Sequence, residues 1–230
     1  MKILKYFPPI YQMIIWPICR LLLNYFCYLK ISGVENLKDI KSGIILASNH
    51  TTGLDPVIIR SALPWWGFHK ATYAVSLTKE NYHTFWGRIF FGGWFFKIAG
   101  GWPAYRKTGD YNKTFVHHIE LLNNKRAVII FPEGRRNWTG EKIKAKPGIS
   151  HLAEITQAPI LPILIEGQRG INLWRFFTRQ HKISIYFGQP IKIEDILNNI
   201  NINQNEDKYT FVAEKILEII FSLNKEKKEL

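Results

Sequence analysis

Short apolar runs alternate with longer helical segments over residues 43–223, and this alternation constrains the fold more than any other feature of the chain. The predicted strands are residues 43–48, 71–75, 102–105, 127–131, 160–165 and 182–187, and the predicted helices are residues 56–63, 82–98, 111–123, 149–156 and 207–223. Such alternation favours parallel strands joined by right-handed helical crossovers. The sequence therefore predicts an α/β fold, with a central, mostly parallel sheet flanked by helices.

The length and composition indicate one domain with an appended N-terminal element. A chain of 230 residues with 47% hydrophobic side chains can bury a full core. We expect an apolar membrane-interface helix over residues 1–30, a single α/β domain over residues 31–224 and a charged tail over residues 225–230.

The net charge of +13 indicates a polyanionic partner, which is a nucleic acid, an anionic membrane surface or a phosphate-bearing substrate. The basic residues are spread along the chain, and no zinc-finger, single-stranded-RNA or helix-turn-helix signature accompanies them. We therefore expect membrane lipids and an anionic bilayer surface as partners, and no nucleic acid.

The sequence predicts no metal site. Cys19 and Cys27 would lie ~12 Å apart along one helix, which is too far for a disulfide. His117 and His118 are expected on a helix surface, where adjacent side chains point in different directions and make poor ligands.

The N-terminal segment, residues 7–29, is apolar and aromatic, but Gln12, Pro17, Arg20 and Asn24 interrupt it. An arginine at the centre of a transmembrane helix is costly. At helical spacing Gln12, Arg20 and Asn24 fall within about a third of the circumference. These features favour a helix, kinked near Pro17, that lies in a membrane interface. The alternative is a helix packed on the protein's own core.

A second segment, residues 85–102, is unusually rich in phenylalanine and tryptophan. It is a core helix, or it serves as a second membrane contact or as a wall for a lipid chain. The density of its aromatic side chains exceeds what one helix face can bury, which favours one of the two functional interpretations.

The sequence from Asn49 to Asp55 places a histidine and a carboxylate five residues apart, directly after the predicted strand 43–48. Open α/β sheets bind their ligands at the carboxyl ends of the strands. Asp55 before Pro56 predicts a helix N-cap. Asp55 there would orient the ring of His50, and the other ring nitrogen would take a proton from a hydroxyl. The alternative is a surface histidine beside an N-cap aspartate.

Three further blocks follow strand ends. The second block, residues 101–106, ends at Arg106. The guanidinium there would either hold a phosphate with two hydrogen bonds or be exposed to solvent. The third block is Phe131-Pro132-Glu133-Gly134-Arg135-Arg136, a tight turn with paired arginines that suits an anion. In it, Glu133 binds a hydroxyl or pins an arginine. Lys146 then precedes a helix N-terminus, which favours anions, and residues 158–163 form the fourth, apolar block.

In this order the blocks resemble those of the glycerolipid acyltransferases, typified by 1-acylglycerol-3-phosphate acyltransferase. The segment from Asn49 to Asp55 resembles the NHxxxxD block, and residues 101–106 resemble the second block with its phosphate-binding arginine. Residues 131–136 resemble the FPEGTR block, and residues 159–162 resemble the fourth. Arg135 replaces the usual threonine, and Tyr105 stands where an acidic residue is common. These departures make the site more basic or more aromatic than is typical.

The resemblance implies a mechanism. His50, oriented by Asp55, acts as general base on an acceptor hydroxyl, which attacks a fatty-acyl thioester directly. Arg106 and Arg136, with Arg135 and Lys146 near them, hold the acceptor phosphate. Backbone N–H groups near Gly134, or the side chain of Asn49, support the oxyanion.

No enzyme nucleophile, metal or bound cofactor is required, because acyl-coenzyme A or acyl carrier protein brings the acyl group as co-substrate. The expected reaction converts 1-acylglycerol-3-phosphate to phosphatidic acid at the cytoplasmic face of the cell membrane. Residues 158–163 are then a wall for the acyl chain or plain core.

Three alternatives stay open. An enzyme of the same fold would use another acceptor, such as a glycolipid or a different lysophospholipid. A catalytically silent membrane-binding protein has no need of the pair His50 and Asp55. A nucleic-acid-binding domain would bind with a steep salt dependence, and the apolar aromatic segments disfavour it.

Overall fold

A seven-stranded sheet forms the centre of the computed structural model, which describes residues 7–38, 40–64, 71–76, 97–105, 108–141, 143–198 and 207–224. The strands are β1 (Lys30–Ser32), β2 (Ile44–Ser48), β3 (Thr72–Ser76), β4 (Gly101–Pro103), β5 (Ala127–Ile130), β6 (Ile160–Glu166) and β7 (Ser184–Phe187). The helices are α1 (Phe7–Cys27), α2 (Asp55–Ala62), α3 (Tyr111–Thr114), α4 (Val116–Asn123), α5 (Gly148–Thr156), α6 (Leu173–Phe177), α7 (Ile193–Asn198) and α8 (Lys208–Ser222), with a 3-10 helix at Val34–Leu37.

The strand order is β1-β7-β6-β2-β5-β3-β4. Strands β6, β2, β5, β3 and β4 run parallel to one another, whereas β7 is antiparallel to β6 and pairs in parallel with β1 at the edge of the sheet. The predicted α/β fold with a mostly parallel sheet is thus confirmed. The central strand β2 lies between β5 and β6, and this position decides which loops meet.

Side chains of the central strands alternate between two cores, as the two-residue period of a strand requires. In β2, Ile45 and Ala47 face a core formed with α4, α5 and α8, whereas Ile44 and Leu46 face a core formed with α1 and α2. All four are fully buried. Burial on both faces explains why the central strands read as continuous apolar runs and not as alternating ones.

Several predicted boundaries were wrong. The predicted helix 111–123 is two helices that meet at Phe115, and the predicted strand 102–105 is Gly101–Pro103. Strand β1 and helices α6 and α7 were not predicted, because elements of three to six residues contain too few periods to be detected. Of the predicted helix 82–98, residues 82–96 lie outside the described part of the chain, and so does most of the aromatic segment 85–102.

The prediction that His118 lies on a helix surface was wrong. Its side chain is fully buried in α4, and Phe115 contacts its ring edge to face at 5.8 Å. Burial lowers the pKa of His118 to about 3, so the ring is neutral. Its neighbour His117 is only half-buried and lies against Trp102 and Tyr105.

Helix α1 continues through Pro17 and packs on the domain through a mixed face, in which Trp16, Leu23 and Cys27 are buried together with Gln12. The side chain of Gln12 is buried and exchanges hydrogen bonds with the backbone of Thr72 and with Arg60. Arg20 donates to the carbonyl oxygens of Ser61 and Leu63. The inward stripe of the helix is therefore partly polar.

The outward side of α1 is apolar. Its exposed large side chains are Ile10, Met13, Ile14, Ile18, Leu21, Leu22 and Tyr25. By length and composition alone, Pro9–Cys27 is long and apolar enough to cross a membrane. This exposed apolar face is additional to the apolar side chains that α1 buries against the domain, whereas a helix on a soluble domain exposes mainly polar residues.

Candidate active site

Three loops meet at one edge of the sheet, where parallel strands end. Residues 49–54 follow β2, residues 131–137 follow β5, and residues 167–168 follow β6. Because β2 is hydrogen-bonded to both β5 and β6 in parallel, these loops are neighbours. This edge is where open α/β sheets bind ligands, and it holds most of the predicted site residues.

The ring of His50 is held by a buried carboxylate. His50 Nδ1 lies 2.8 Å from Asp55 Oδ2, and the Asp55 side chain has no exposed surface, whereas that of His50 is 18% exposed. Because an ionised carboxylate can only accept hydrogen bonds, Nδ1 carries the proton in the neutral ring. Nε2 is then the nitrogen with a free lone pair, as a general base requires.

Asp55 does not occupy the predicted N-cap position. It is the first residue of α2, and Leu54 precedes the helix. Its carboxylate points back into the loop, where Oδ2 accepts from the N–H groups of Thr51 at 2.7 Å and Thr52 at 2.9 Å. Oδ1 accepts from the Thr52 hydroxyl at 2.8 Å. Four donors thus fix this carboxylate, and through it the histidine.

The third block holds the backbone and ring of His50. The N–H of His50 donates to Glu133 Oε1 at 2.8 Å, and its carbonyl oxygen accepts from the N–H of Asn137 at 2.7 Å. The ring of Phe131 stacks on the imidazole with a centroid distance of 3.9 Å. Glu133 was expected to bind a hydroxyl or pin an arginine, but one of its oxygens pins the histidine backbone.

The second oxygen of Glu133 has a different environment. Oε2 is buried and has no hydrogen-bond partner within the described ranges, and the whole side chain is 1% exposed. Among the described residues, Oε2 is therefore the unpaired carboxylate oxygen of the site, and it is shielded from solvent.

Two of the groups expected to support the oxyanion hold the backbone in place. The Asn49 side chain donates to the carbonyl oxygen of Ile165 at 2.9 Å and accepts from its N–H at 2.8 Å, which extends the pairing of β2 with β6. The N–H of Gly134 donates to the carbonyl oxygen of Phe131 at 2.9 Å. Support of the oxyanion by the other backbone N–H groups near Gly134 stays a prediction.

Two of the predicted cations lie beside this loop. Gly134 has a φ of 66°, and a Cβ there would come within 2.7 Å of Lys146 Cγ, so Lys146 packs against the turn. Gly53 lies between His50 and Asp55 in the sequence, and a Cβ built on it would be 3.8 Å from Arg136 Nη1. The Arg136 side chain therefore reaches this loop. The guanidinium of Arg136 also lies 5.0 Å from the ring of Trp138.

The remaining predicted residues are not brought into this arrangement by any described contact. Arg135 is exposed, and Arg106 lies outside the described residues, so the roles of both stay predictions. In the fourth block Ile160, Leu161 and Ile163 have no exposed surface, so they are plain core and not the wall of an open pocket. Within the described ranges, no three His, Cys, Asp or Glu side chains are grouped closely enough to hold a metal ion.

Sequence reasoning missed the residues that support the histidine. Thr51 and Thr52 bind Asp55, Asn137 binds the His50 backbone, and the buried amide of Gln168 donates to the Thr51 hydroxyl at 3.3 Å. A signal existed for the threonines, because Asp and Thr side chains commonly bind nearby backbone N–H groups in loops. No sequence signal places Gln168, which is 117 residues from Thr51.

The chain is similar in sequence to known proteins. The family model described as Acyltransferase matches residues 28–166 of the chain. A 1-acyl-sn-glycerol-3-phosphate acyltransferase of Streptococcus pneumoniae (strain ATCC BAA-255 / R6) is 26% identical over 197 residues, which are 86% of this chain and 66% of that protein. Its counterpart in Saccharomyces cerevisiae (strain ATCC 204508 / S288c) is 28% identical over 192 residues, 81% of this chain and 56% of that protein.

A solved structure shares the fold. The crystal structure of the 1-acyl-sn-glycerophosphate (LPA) acyltransferase PlsC from Thermotoga maritima superposes with a TM-score of 0.59 at 19% identity and covers 93% of this chain and 81% of that one. The chain spans 66% and 56% of the length of the two curated relatives named here. With the family model matching more than half of its residues, the chain belongs to the acyltransferase family.

Proposed function

We propose that the protein transfers a fatty-acyl group from a thioester to the hydroxyl of a lysophospholipid. The favoured acceptor is 1-acylglycerol-3-phosphate, and the product is then phosphatidic acid. The observation that carries the proposal is the 2.8 Å contact between His50 Nδ1 and a carboxylate fixed by three further donors. That contact leaves Nε2 as a base at the edge of the sheet where substrates bind.

The proposed reaction proceeds by direct attack. Nε2 of His50 takes the proton of the acceptor hydroxyl while the hydroxyl oxygen forms a bond to the carbonyl carbon of the thioester. The tetrahedral intermediate collapses as the C–S bond breaks, and the thiolate receives the proton from the imidazolium. Asp55 stabilises the charged ring throughout, and the stacked ring of Phe131 limits its rotation. Direct attack requires no covalent nucleophile from the protein.

The acceptor phosphate is proposed to bind Arg136 and Lys146. Arg136 reaches the loop between His50 and Asp55, and Lys146 packs on the turn at Gly134. A guanidinium suits a phosphate because it can donate two parallel hydrogen bonds. Arg135 and Arg106 are proposed as further phosphate contacts, on the strength of their motif positions.

The proposed setting is the surface of a membrane, at its cytoplasmic face, where the lysolipid acceptor lies. The apolar outward face of α1 supports this, together with the net charge of +13, which suits anionic lipids. Leu54 and Val57, beside the catalytic loop, are 46% and 42% exposed and provide an apolar rim for an acyl chain. Acyl-coenzyme A or acyl carrier protein is the proposed donor.

The first test is thiol release from a long-chain acyl-coenzyme A by purified protein in detergent, with and without 1-acylglycerol-3-phosphate. We expect acceptor-dependent release, and a loss of about 10²–10⁴-fold in His50→Ala, the range typical of a general base. Full activity in His50→Ala would refute the mechanism. Absence of release with this acceptor and with both kinds of donor would refute 1-acylglycerol-3-phosphate as the acceptor, and absence of release with every lysophospholipid tested would refute the proposed reaction.

The phosphate contacts have a matched control. Arg136→Ala and Lys146→Ala should raise the KM for 1-acylglycerol-3-phosphate more than they lower kcat, because they remove uniform binding. Lys113→Ala, which removes an exposed lysine on α3, should change neither constant. Equal effects at all three lysine and arginine positions would show that only the overall charge matters.

A second candidate acceptor is favoured by one observation. Arg135 replaces the usual threonine of the block and is exposed beside Arg136. An extra cation suits an acceptor with more negative charge or a different headgroup. Arg135→Thr should then shift the preference among lysophospholipids toward 1-acylglycerol-3-phosphate, measured as the ratio of kcat/KM values for a panel of acceptors.

A further inference from the structure

We propose that α6 is a second bilayer-docking element, which extends the apolar face of α1 and binds membranes that carry anionic lipids. The docking surface consists of Leu173, Trp174 and Phe177 on α6 with the arginines Arg175 and Arg179. The proposal rests on the proposed membrane association of α1 and does not depend on the reaction catalysed.

The apolar side chains of α6 are exposed although the helix is firmly seated. Leu173 is 78% exposed, Trp174 is 74% exposed and Phe177 is 61% exposed. Phe176 of the same helix is partly buried and packs on the core shared with α1 and α2. Asn172 caps the helix by accepting from the N–H of Arg175 at 2.9 Å. The helix therefore presents its apolar side chains already ordered.

This patch is continuous with the outward face of α1. Phe26 near the end of α1 contacts Phe176 at 5.0 Å and Phe177 at 5.3 Å between ring centroids. The guanidinium of Arg179 lies 4.7 Å from the ring of Tyr25 and 4.6 Å from that of Tyr28. The exposed ring of Tyr25 thus joins the apolar side chains of α1 to those of α6.

The contacts of α1 limit how a membrane can approach. Gln12 near one end of the helix binds Thr72 of β3, and Phe26 near the other end contacts α6. A helix held to the domain along its length cannot cross a bilayer by itself, because the domain would be drawn into the lipid with it. The helix instead lies along the membrane surface, where α6 can reach the same plane.

The charge around α6 is complementary to anionic headgroups. Residues 167–182 contain four basic side chains, Arg169, Arg175, Arg179 and Lys182, and no Asp or Glu. Tryptophan and arginine side by side are typical of the boundary between acyl chains and headgroups. A soluble protein partner would not require both a segment free of acidic residues and an apolar patch that continues onto α1. These observations therefore favour the bilayer as the occupant.

The test is the partition of the full chain, moved from detergent to vesicles, measured by flotation. Vesicles of pure phosphatidylcholine are compared with vesicles that contain about 30% phosphatidylglycerol, a level sufficient to attract juxtamembrane basic residues. We expect L173S/W174S/F177S to lower the partition coefficient by at least about tenfold, since burial of three large apolar side chains is lost. We expect R175E to abolish most of the preference for anionic vesicles.

The matched control is V116S/I155S, which removes exposed apolar side chains from α4 and α5 on the other side of the sheet. It should partition as the original chain does. A second readout uses a variant that keeps an aromatic side chain at this position. Brominated phosphatidylcholine should quench a smaller fraction of the tryptophan fluorescence in vesicle-bound Trp174→Phe than in the vesicle-bound original chain. The outcome that supports the proposal is a loss of binding and of quenching that is confined to the α6 variants.

Other outcomes overturn it. If L173S/W174S/F177S floats like the original chain, or if Trp174 contributes no quenched fluorescence, α6 does not contact lipid. If the triple variant instead loses a self-association seen without vesicles, the occupant is a second copy of the chain. Thiol release in detergent should be unchanged in the triple variant, so the docking proposal and the proposed reaction can fail independently.

Discussion

Replacement of Asp55 by asparagine tests how this carboxylate assists His50. In the structure Oδ2 accepts from three donors, the His50 ring and the N–H groups of Thr51 and Thr52, whereas Oδ1 accepts from one hydroxyl. An asparagine amide has one oxygen to offer. Placed at the Oδ2 position, it keeps all three bonds, and its NH2 group faces the Thr52 hydroxyl, which can accept.

The opposite orientation of the asparagine is excluded by its neighbours. It would set an NH2 group against two backbone N–H donors now 2.7 Å and 2.9 Å from Oδ2. Leaving buried donors unpaired costs about 1–3 kcal/mol each. We therefore expect Asp55→Asn to keep the Nδ1–H form of His50 and to remove only the negative charge.

The size of the effect follows from that charge. Opposite unit charges ~4 Å apart interact by about 4 kcal/mol at an effective dielectric constant of 20, which sets an upper bound. A charge-assisted hydrogen bond contributes about 1.5–3 kcal/mol in net terms. If all of it stabilises the imidazolium of the transition state, kcat falls roughly 10- to 150-fold.

The assay is thiol release at saturating acceptor, paired with thermal unfolding in the same detergent. Asp55→Asn should unfold close to the original temperature, whereas Asp55→Ala, which strands two backbone N–H groups, should be clearly less stable. A loss of 10⁴-fold or more in a well-folded Asp55→Asn would mean that the ring changed tautomer, as in a catalytic triad. Unchanged activity would mean that the charge of Asp55 has no part in catalysis.

Three further results are expected. Glu133→Ala should lower kcat and should lower the free energy of unfolding by about 1–3 kcal/mol, because it leaves the His50 N–H without an acceptor. Glu133→Gln keeps an acceptor and should retain most of the activity and stability. Equal losses in the two variants, measured by thiol release and by unfolding, would contradict this. Gln12→Ala should lower the unfolding temperature, since it leaves the Thr72 backbone unpaired, whereas removal of the exposed Asn24 side chain should not. Burial lowers the pKa of His118 from 6.5 to about 3, so its contribution to stability is complete above pH 6.5 and is lost as the pH falls toward 3. Between pH 7 and pH 5 the free energy of unfolding should fall by about 2 kcal/mol because of this group. In His118→Leu the free energy of unfolding should therefore depend less on pH in this range. An equal pH dependence in both proteins would mean that the ring is charged in the folded protein.

The central strands and the pair His50 and Asp55 were predictable because each depends on local pattern. An apolar run bounded by turn residues marks a buried strand whatever its partners are. A histidine at the end of such a strand is then placed at the ligand-binding edge by the topology alone. The separation of five residues fixes Asp55 within reach of the ring because the loop between them is short.

The supports of His50 were not predictable because they come from distant parts of the chain. The bond from its N–H to Glu133 spans 83 residues, and the Asn49 amide binds Ile165 across 116 residues. Such contacts depend on the order of the strands in the sheet, which alternation does not determine. The same limit explains the error about His118, because its burial depends on how α4 lies on the sheet and not on the polarity of its neighbours.

The buried polar contacts of α1 bear on the order in which the chain folds during synthesis. Gln12 finds its partners 48 and 60 residues later, at Arg60 and Thr72. The ribosome therefore releases the helix before the groups that bind Gln12 exist. Contacts so distant in sequence form late. Under the proposed membrane association, a nascent α1 buries its outward apolar face in lipid first and docks on the domain afterwards, whereas a domain that folded first would have to carry that uncovered face to the membrane.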